Sequence, residues 1–169
     1  MLAEGDTAPR FELPGVEPGA ADADIAQFRL ADALESGPAV VNFYPFDFHP
    51  SCTEHMCTLR DLSWFDVADA VTVYGISTDG SFSHRAFAAA ESLDFPLLSD
   101  NDGSVAEDYG VLYDEIEGHK RVSKRAVFVV DADREIRYAW RTDDPEAQPN
   151  WTPVRDAVAA LTGSETAEN

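Results

Sequence analysis

Lysine is nearly missing from this chain: Lys120 and Lys124 are the only two, and 12 basic residues face 32 acidic ones for a formal net charge of −20. Such a field repels nucleic acid phosphates and anionic lipid headgroups, so neither nucleic acid nor membrane is expected as a partner. Long apolar runs are lacking too. Nothing approaches the roughly 18 consecutive apolar residues that read as a membrane span. No basic stretch followed by an apolar one opens the chain, so no export signal is read and the cytoplasm is the expected compartment. Cysteine is limited to Cys52 and Cys57. In a chain without an export signal, a close pair points to catalysis or metal binding rather than to a structural staple. No phosphate-cradling glycine motif is present to indicate a nucleotide.

What is present is enough for a full core: 169 residues, 44% of them hydrophobic, fit one compact domain. It is expected over residues 1–161, followed by a polar tail at 162–169. Many Asp, abundant Ala and almost no Lys resemble the make-up of proteins from salt-in halophiles; a merely acidic cytosolic protein is the alternative. Self-repulsion of this size destabilises the folded state, and salt screens it.

Along the chain, Phe11 and Leu13 alternate as an edge strand, and Gly15 to Asp24 reads as a loop. Phe28 to Leu30 is a short strand or turn, and Ser36-Gly-Pro38 breaks the chain before an apolar run, Ala39 to Tyr44, that reads as a buried strand. A helix from Ser51 to about Asp66 carries Met56, Leu59, Leu62 and Phe65 at helical spacing. Val71 to Ile76 is the next buried strand, Ser81 to Leu93 a helix, Pro96 to Leu98 a short strand and Ser104 to Tyr109 a short helix. Ala126 to Val130 and Ile136 to Trp140 flank a hairpin turn at Asp131 to Glu135, and Trp151 to Leu161 is a final amphipathic helix. Strands alternating with helices, plus one late hairpin, predict an α/β fold with a central mixed sheet flanked by helices.

The segment from Tyr44 to Cys57 carries the chemistry. Pro45 ends the buried strand because proline has no N–H for the ladder. A helix beginning near Ser51 then puts Cys52 in its first turn, where unpaired N–H groups and the positive end of the dipole stabilise a thiolate. The expectation is a thiol with lowered pKa, nucleophilic at neutral pH. The bland alternative for Cys52 is a small buried hydrophobe.

Several separated segments together resemble the peroxiredoxins, thioredoxin-fold thiol peroxidases of the AhpC/TSA superfamily. They are Gly5 to Phe11, the Pro45-to-Cys52 loop, Ile76-Ser-Thr-Asp-Gly-Ser-Phe-Ser-His-Arg-Ala-Phe87, Phe95 to Asp100, Tyr109-Gly-Val111 and Arg125 to Asp131. The family's peroxidatic motif is Pro, three residues, Thr or Ser, two residues, Cys. Pro45 and Cys52 match it, while His49 stands at the Thr/Ser position, where it supplies a ring nitrogen instead of a hydroxyl. The resemblance implies that Cys52 is the peroxidatic nucleophile, that Pro45 shapes and shields its loop, and that Arg125 is the active-site arginine. The five-residue spacing to Cys57 resembles the bacterioferritin-comigratory subgroup, in which the later cysteine resolves the oxidised first one. The surroundings of Cys57 also resemble the AhpE-like one-cysteine branch, in which an external thiol does so.

The resemblance further implies a hydroperoxide substrate, a thioredoxin-like or other thiol reductant, no cofactor, and a homodimer as a compatible assembly. Arg125 in a surface salt bridge and Cys57 as a passive residue beside Arg60, Asp61 and Trp64 are the plain alternatives. His55 reads as an ordinary first-turn residue, Ser81 as a helix cap, His84 as a structural hydrogen-bonder, and Trp140 and Trp151 as core or interface aromatics. A metal-binding module is a separate reading. His49, Cys52, His55 and Cys57 offer two nitrogens and two sulfurs suited in type to zinc or copper, although four ligands on so short a stretch of helix do not converge. A disulfide oxidoreductase is weaker still, because four residues separate the cysteines.

Overall fold

The computed structural model describes residues 2–18, 22–62 and 70–163. Its centre is β3 (Ala39–Phe43), whose five residues are all buried, as a strand covered on both faces requires. β4 (Thr72–Ser77) and β5 (Leu97–Ser99) follow in parallel on one side, with Val41 opposite Tyr74 and Ile76 opposite Leu98. β8 (Arg125–Val130) lies antiparallel on the other side of β3, and β9 (Ile136–Thr142) forms the hairpin partner of β8. β1 (Glu12–Val16) and β2 (Ile25–Arg29) extend the sheet beyond β5, giving the order β2-β1-β5-β4-β3-β8-β9. β1 is therefore interior; the edges are β2 and β9. Its residues extend to Val16, into the stretch expected to be loop, because both neighbours take up its backbone hydrogen bonds.

Side-chain alternation divides the core in two. Val41, Phe43, Phe128 and Val130 face α1 (Leu30–Leu34) and α4 (Ser104–Asp108). Val40, Tyr44, Val127 and Val129 face α2 (Pro50–Asp61), α3 (Ser81–Glu91) and α5 (Trp151–Thr162). The period of two puts Asn42 and Arg125 on the α2 side with the second set. α2 lies close on the sheet at Gly75, where an added Cβ would stand 2.7 Å from the Met56 Cε and the Leu97 Cδ2.

A separate hairpin, β6 (Leu112–Ile116) and β7 (His119–Ser123), has no counterpart in the sequence reading. The helix expected to reach Asp66 ends at Asp61, and Leu62 is its C-cap. Phe65 and Trp64 lie outside the described residues, as does the tail from 164 onward. Ser81 opens α3 without capping it; Gly80 holds the cap position and makes no side-chain bond there.

Candidate active site

Cys52 is the third residue of α2. His49 is the N-cap, Pro50 takes the first helical position, and the Ser51 N–H donates to His49 Nδ1 at 3.2 Å. Proline at the start of a helix forfeits no bond, since that N–H has no partner in the helix. β3 ends one residue before Tyr44, whose N–H still donates to the Ile76 carbonyl (3.0 Å) before Pro45 turns the chain away.

Arg125, the first residue of β8, points at the same spot. It is fully buried, which removes the surface salt-bridge alternative, and no carboxylate pairs with it among the described residues. Its Nη2 donates to the Cys52 sulfur at 3.5 Å and to the Pro145 carbonyl at 2.5 Å. Its Nη1 donates to His55 Nδ1 at 2.7 Å. Among the described residues, Arg125 Nε is the one buried side-chain nitrogen or oxygen without a hydrogen-bond partner.

His55 is thus no ordinary first-turn residue. It is wholly buried, its Nε2 donates to Asn42 Oδ1 at 2.7 Å, and Trp151 packs on its ring. Burial and the neighbouring guanidinium hold its pKa well below the usual histidine value. It is therefore neutral, with Nδ1 free to accept from Arg125 and Nε2 carrying the proton. Asn42 in turn donates to Met56 Sδ at 3.2 Å.

The thiol's charge state departs from expectation. Cys52 has no exposed surface, and burial pushes its pKa up despite three opposing pulls: the Arg125 charge, a Phe46 backbone N–H and the Arg125 hydrogen bond. The helix position alone led to the opposite expectation because it carried no information on burial. The sulfur nevertheless borders a small cavity of about 30 Å³ lined by Pro45, Phe46, His49, Glu117, Pro145 and Glu146. His49 lines that cavity; its Nδ1 is taken up by the helix cap, and its Nε2 lies 3.7 Å from Glu146. Glu146 also accepts from the Ser51 hydroxyl, and Gln148 Nε2 donates to the Ser51 carbonyl at 2.9 Å. The segment after β9 thereby straps the start of α2.

Cys57 lies five residues beyond Cys52 on the same unbroken helix, roughly 140° around it, and faces away from the cavity. Its thiol donates to Glu91 Oε1 at 3.4 Å, and burial with the Glu91 hydrogen bond raises its pKa. Both cysteines are free. The metal reading loses its geometry here: both nitrogens of His55 are engaged, Cys57 faces Glu91, and no group of three candidate ligands gathers among the described residues.

Residues 4–139 match the AhpC/TSA family. The chain is a peroxiredoxin of that family. Peroxiredoxin Bcp of Escherichia coli K12 is 37% identical over 145 residues, covering 82% of this chain and 85% of the relative. A putative peroxiredoxin Bcp of Coxiella burnetii is 34% identical over 139 residues, covering 80% and 86%. Among solved structures, peroxidoxin BcpB of Mycobacterium tuberculosis superposes with a TM-score of 0.77 at 32% identity, covering 98% of this chain and all of that one. The mixed sheet with its flanking helices is accordingly the thioredoxin-like fold, and this peroxiredoxin is a thiol peroxidase. No described helix is long and apolar enough to cross a membrane.

Proposed function

We propose that Cys52 is the peroxidatic thiol and that hydrogen peroxide or a small alkyl hydroperoxide is the substrate. The observation that carries this reading is the Arg125–Cys52 contact inside a closed site. A buried guanidinium that stays charged and has no carboxylate beside it favours an anion next to it, and the Cys52 thiolate is the group in reach. A cavity of about 30 Å³ has room for roughly two waters, which suits the –OOH end of a small molecule. Glu117 and Glu146 at its wall favour an uncharged one.

The chemistry balances simply. The Cys52 sulfur takes one peroxide oxygen as the O–O bond breaks; the thiol proton ends on the departing oxygen, leaving a sulfenic acid and an alcohol or water. Arg125 steadies the sulfur through Nη2, and its idle Nε–H is a donor for a substrate oxygen. Pro45 walls off water. Cys57 then attacks the Cys52 sulfur, the S–O bond breaks, water leaves and a disulfide forms. A thioredoxin-like or other small thiol reductant returns two electrons and two protons. In an intact helix, residues five apart hold their Cα atoms roughly 8–9 Å apart, whereas a disulfide needs less than about 7 Å. The start of α2 must therefore unwind. The orientation of Cys57 toward Glu91 favours a second reading, in which an external thiol resolves Cys52 directly.

Stoichiometric peroxide added to reduced protein in high salt, followed by tryptophan fluorescence and thiol titration, decides between them. The expected result is rapid loss of both thiols, no reaction in Cys52→Ser, and a trapped sulfenic acid in Cys57→Ser. Full turnover of Cys57→Ser with an external thiol selects the one-cysteine route; reaction in Cys52→Ser overturns the assignment. The cytoplasm and a homodimer are further expectations of this reading, for fractionation and light scattering to check.

A further inference from the structure

We propose that Asp47 and His84 form a latch that holds the reactive loop shut over Cys52, and that its release governs disulfide formation. The inference rests on the reading of Cys57 as the resolving cysteine. The loop between β3 and α2 is pinned at one side chain. The Asp47 side chain is 1% exposed and accepts three side-chain donors: the Tyr44 hydroxyl at 2.6 Å, the Ser83 hydroxyl at 2.7 Å and His84 Nδ1 at 2.8 Å. Its backbone N–H donates to Asp79 Oδ2 at 2.8 Å, an oxygen that also accepts from the Ser77 hydroxyl at 2.8 Å. His84 is itself anchored, with Nε2 donating to the Leu98 carbonyl at 2.9 Å and no exposed surface. The peroxide step uses none of these side chains.

Two features make this a latch rather than ordinary packing. Apart from Tyr44, Asp47's partners belong to α3 and the turn that leads into it, neither of which carries a reacting sulfur, while Cys52 follows only five residues later. The next residue, Phe48, has φ 68°, in the left-handed region that an aromatic side chain seldom occupies, and its ring is 52% exposed. A non-glycine residue persists there only when its surroundings hold it. Asp47 supplies the hold on one side and the helix cap at His49 the other. Closed, the loop keeps Pro45 and Phe46 around the sulfur. Freed at Asp47, it loses the anchor on its strand side, leaving the first turn of α2 held only by the His49 cap and the Glu146–Gln148 strap, and Cys52 becomes able to approach Cys57.

Rapid mixing of the full chain with peroxide separates the two chemical phases. Ser83→Ala removes one donor and leaves the Asp47–His84 pair intact, so it is the mild variant; Asp47→Asn is the severe one. Losing a hydrogen bond to a charged group raises the open population about tenfold. Ser83→Ala is therefore expected to speed disulfide formation about tenfold without speeding the peroxide step. Conversion of Cys52 to sulfinic acid by excess peroxide should fall in parallel, since it competes with the disulfide. A merely structural Asp47 would slow both phases. Unchanged or slower disulfide formation in both variants overturns the latch. Wild-type protein that forms no intramolecular disulfide by mass overturns the Cys57 reading instead. The latch is then judged by amide hydrogen exchange in the reduced protein. Ser83→Ala must raise exchange over residues 45–56 and leave β8 and β9 unchanged; no rise overturns it.

Discussion

Arg125 is a buried cation that pairs with no carboxylate among the described residues, a costly residue to fold around unless its donors are met. His55, Pro145 and Cys52 meet those of its two terminal nitrogens, and only Nε is left over. Replacing His55 by Leu orphans Arg125 Nη1 and Asn42 Oδ1, which should cost about 1–3 kcal/mol in denaturant unfolding and about a hundredfold in the peroxide step as the guanidinium loses its aim. His55→Gln keeps an acceptor and a donor and is expected to retain most of the rate. The sequence made Cys52 and Arg125 legible through their motif positions. It could not show the function of His55, whose partners come from 13 and 70 residues away in the chain. Because burial raises the Cys52 pKa, its reactivity should climb with pH across the neutral range, and Arg125→Gln, which removes an opposing pull, should move that climb further alkaline. Linkage runs the same way. A raised folded value means the thiol's contribution to stability is full below the ordinary cysteine value of about 8.5 and declines as pH rises through the folded value.

At the level of elements, α2 carries both sulfurs, and on the Cys57 route it must both hold and yield. Burial raises the Cys57 pKa most, and Glu91, at the end of α3, adds to it by hydrogen bond and charge. Glu91→Gln lowers that barrier to ionisation, so disulfide formation at pH 7 should quicken by a few-fold while the peroxide step stays the same, read by the same rapid mixing. β3 and β8 were legible because strands buried on both faces spell themselves out as apolar runs. The β6–β7 hairpin was not: Asp114, Glu115, His119 and Lys120 are all exposed, so no apolar alternation marks it. Yet Ile116 and Glu117 at its tip wall the cavity beside Cys52, a placement set by the chain around it. Ser81 misled for a related reason, since Gly80 reaches the extended cap conformation and leaves serine one position inside.

For the molecule as a whole, charge is the governing quantity. With a net charge of −20, raising salt from about 0.1 M to 1 M shortens the screening length from about 10 Å to 3 Å. Repulsion relieved this way should outweigh the loss from exposed pairs such as Arg121–Glu107 and Lys120–Glu115, which solvent already screens. Thermal unfolding should accordingly shift upward by roughly 4–8 °C, equivalent to about 2 kcal/mol for a chain of this size; a flat or falling midpoint would contradict the reading of its acidity as an adaptation to brine. The placing of both sulfurs on one rod has a last consequence. Where Cys57 is the resolving thiol, each turnover is written into the backbone as well as into a bond, so the disulfide form is the less helical and more protease-sensitive one. Circular dichroism alone can then count how many molecules await their electrons.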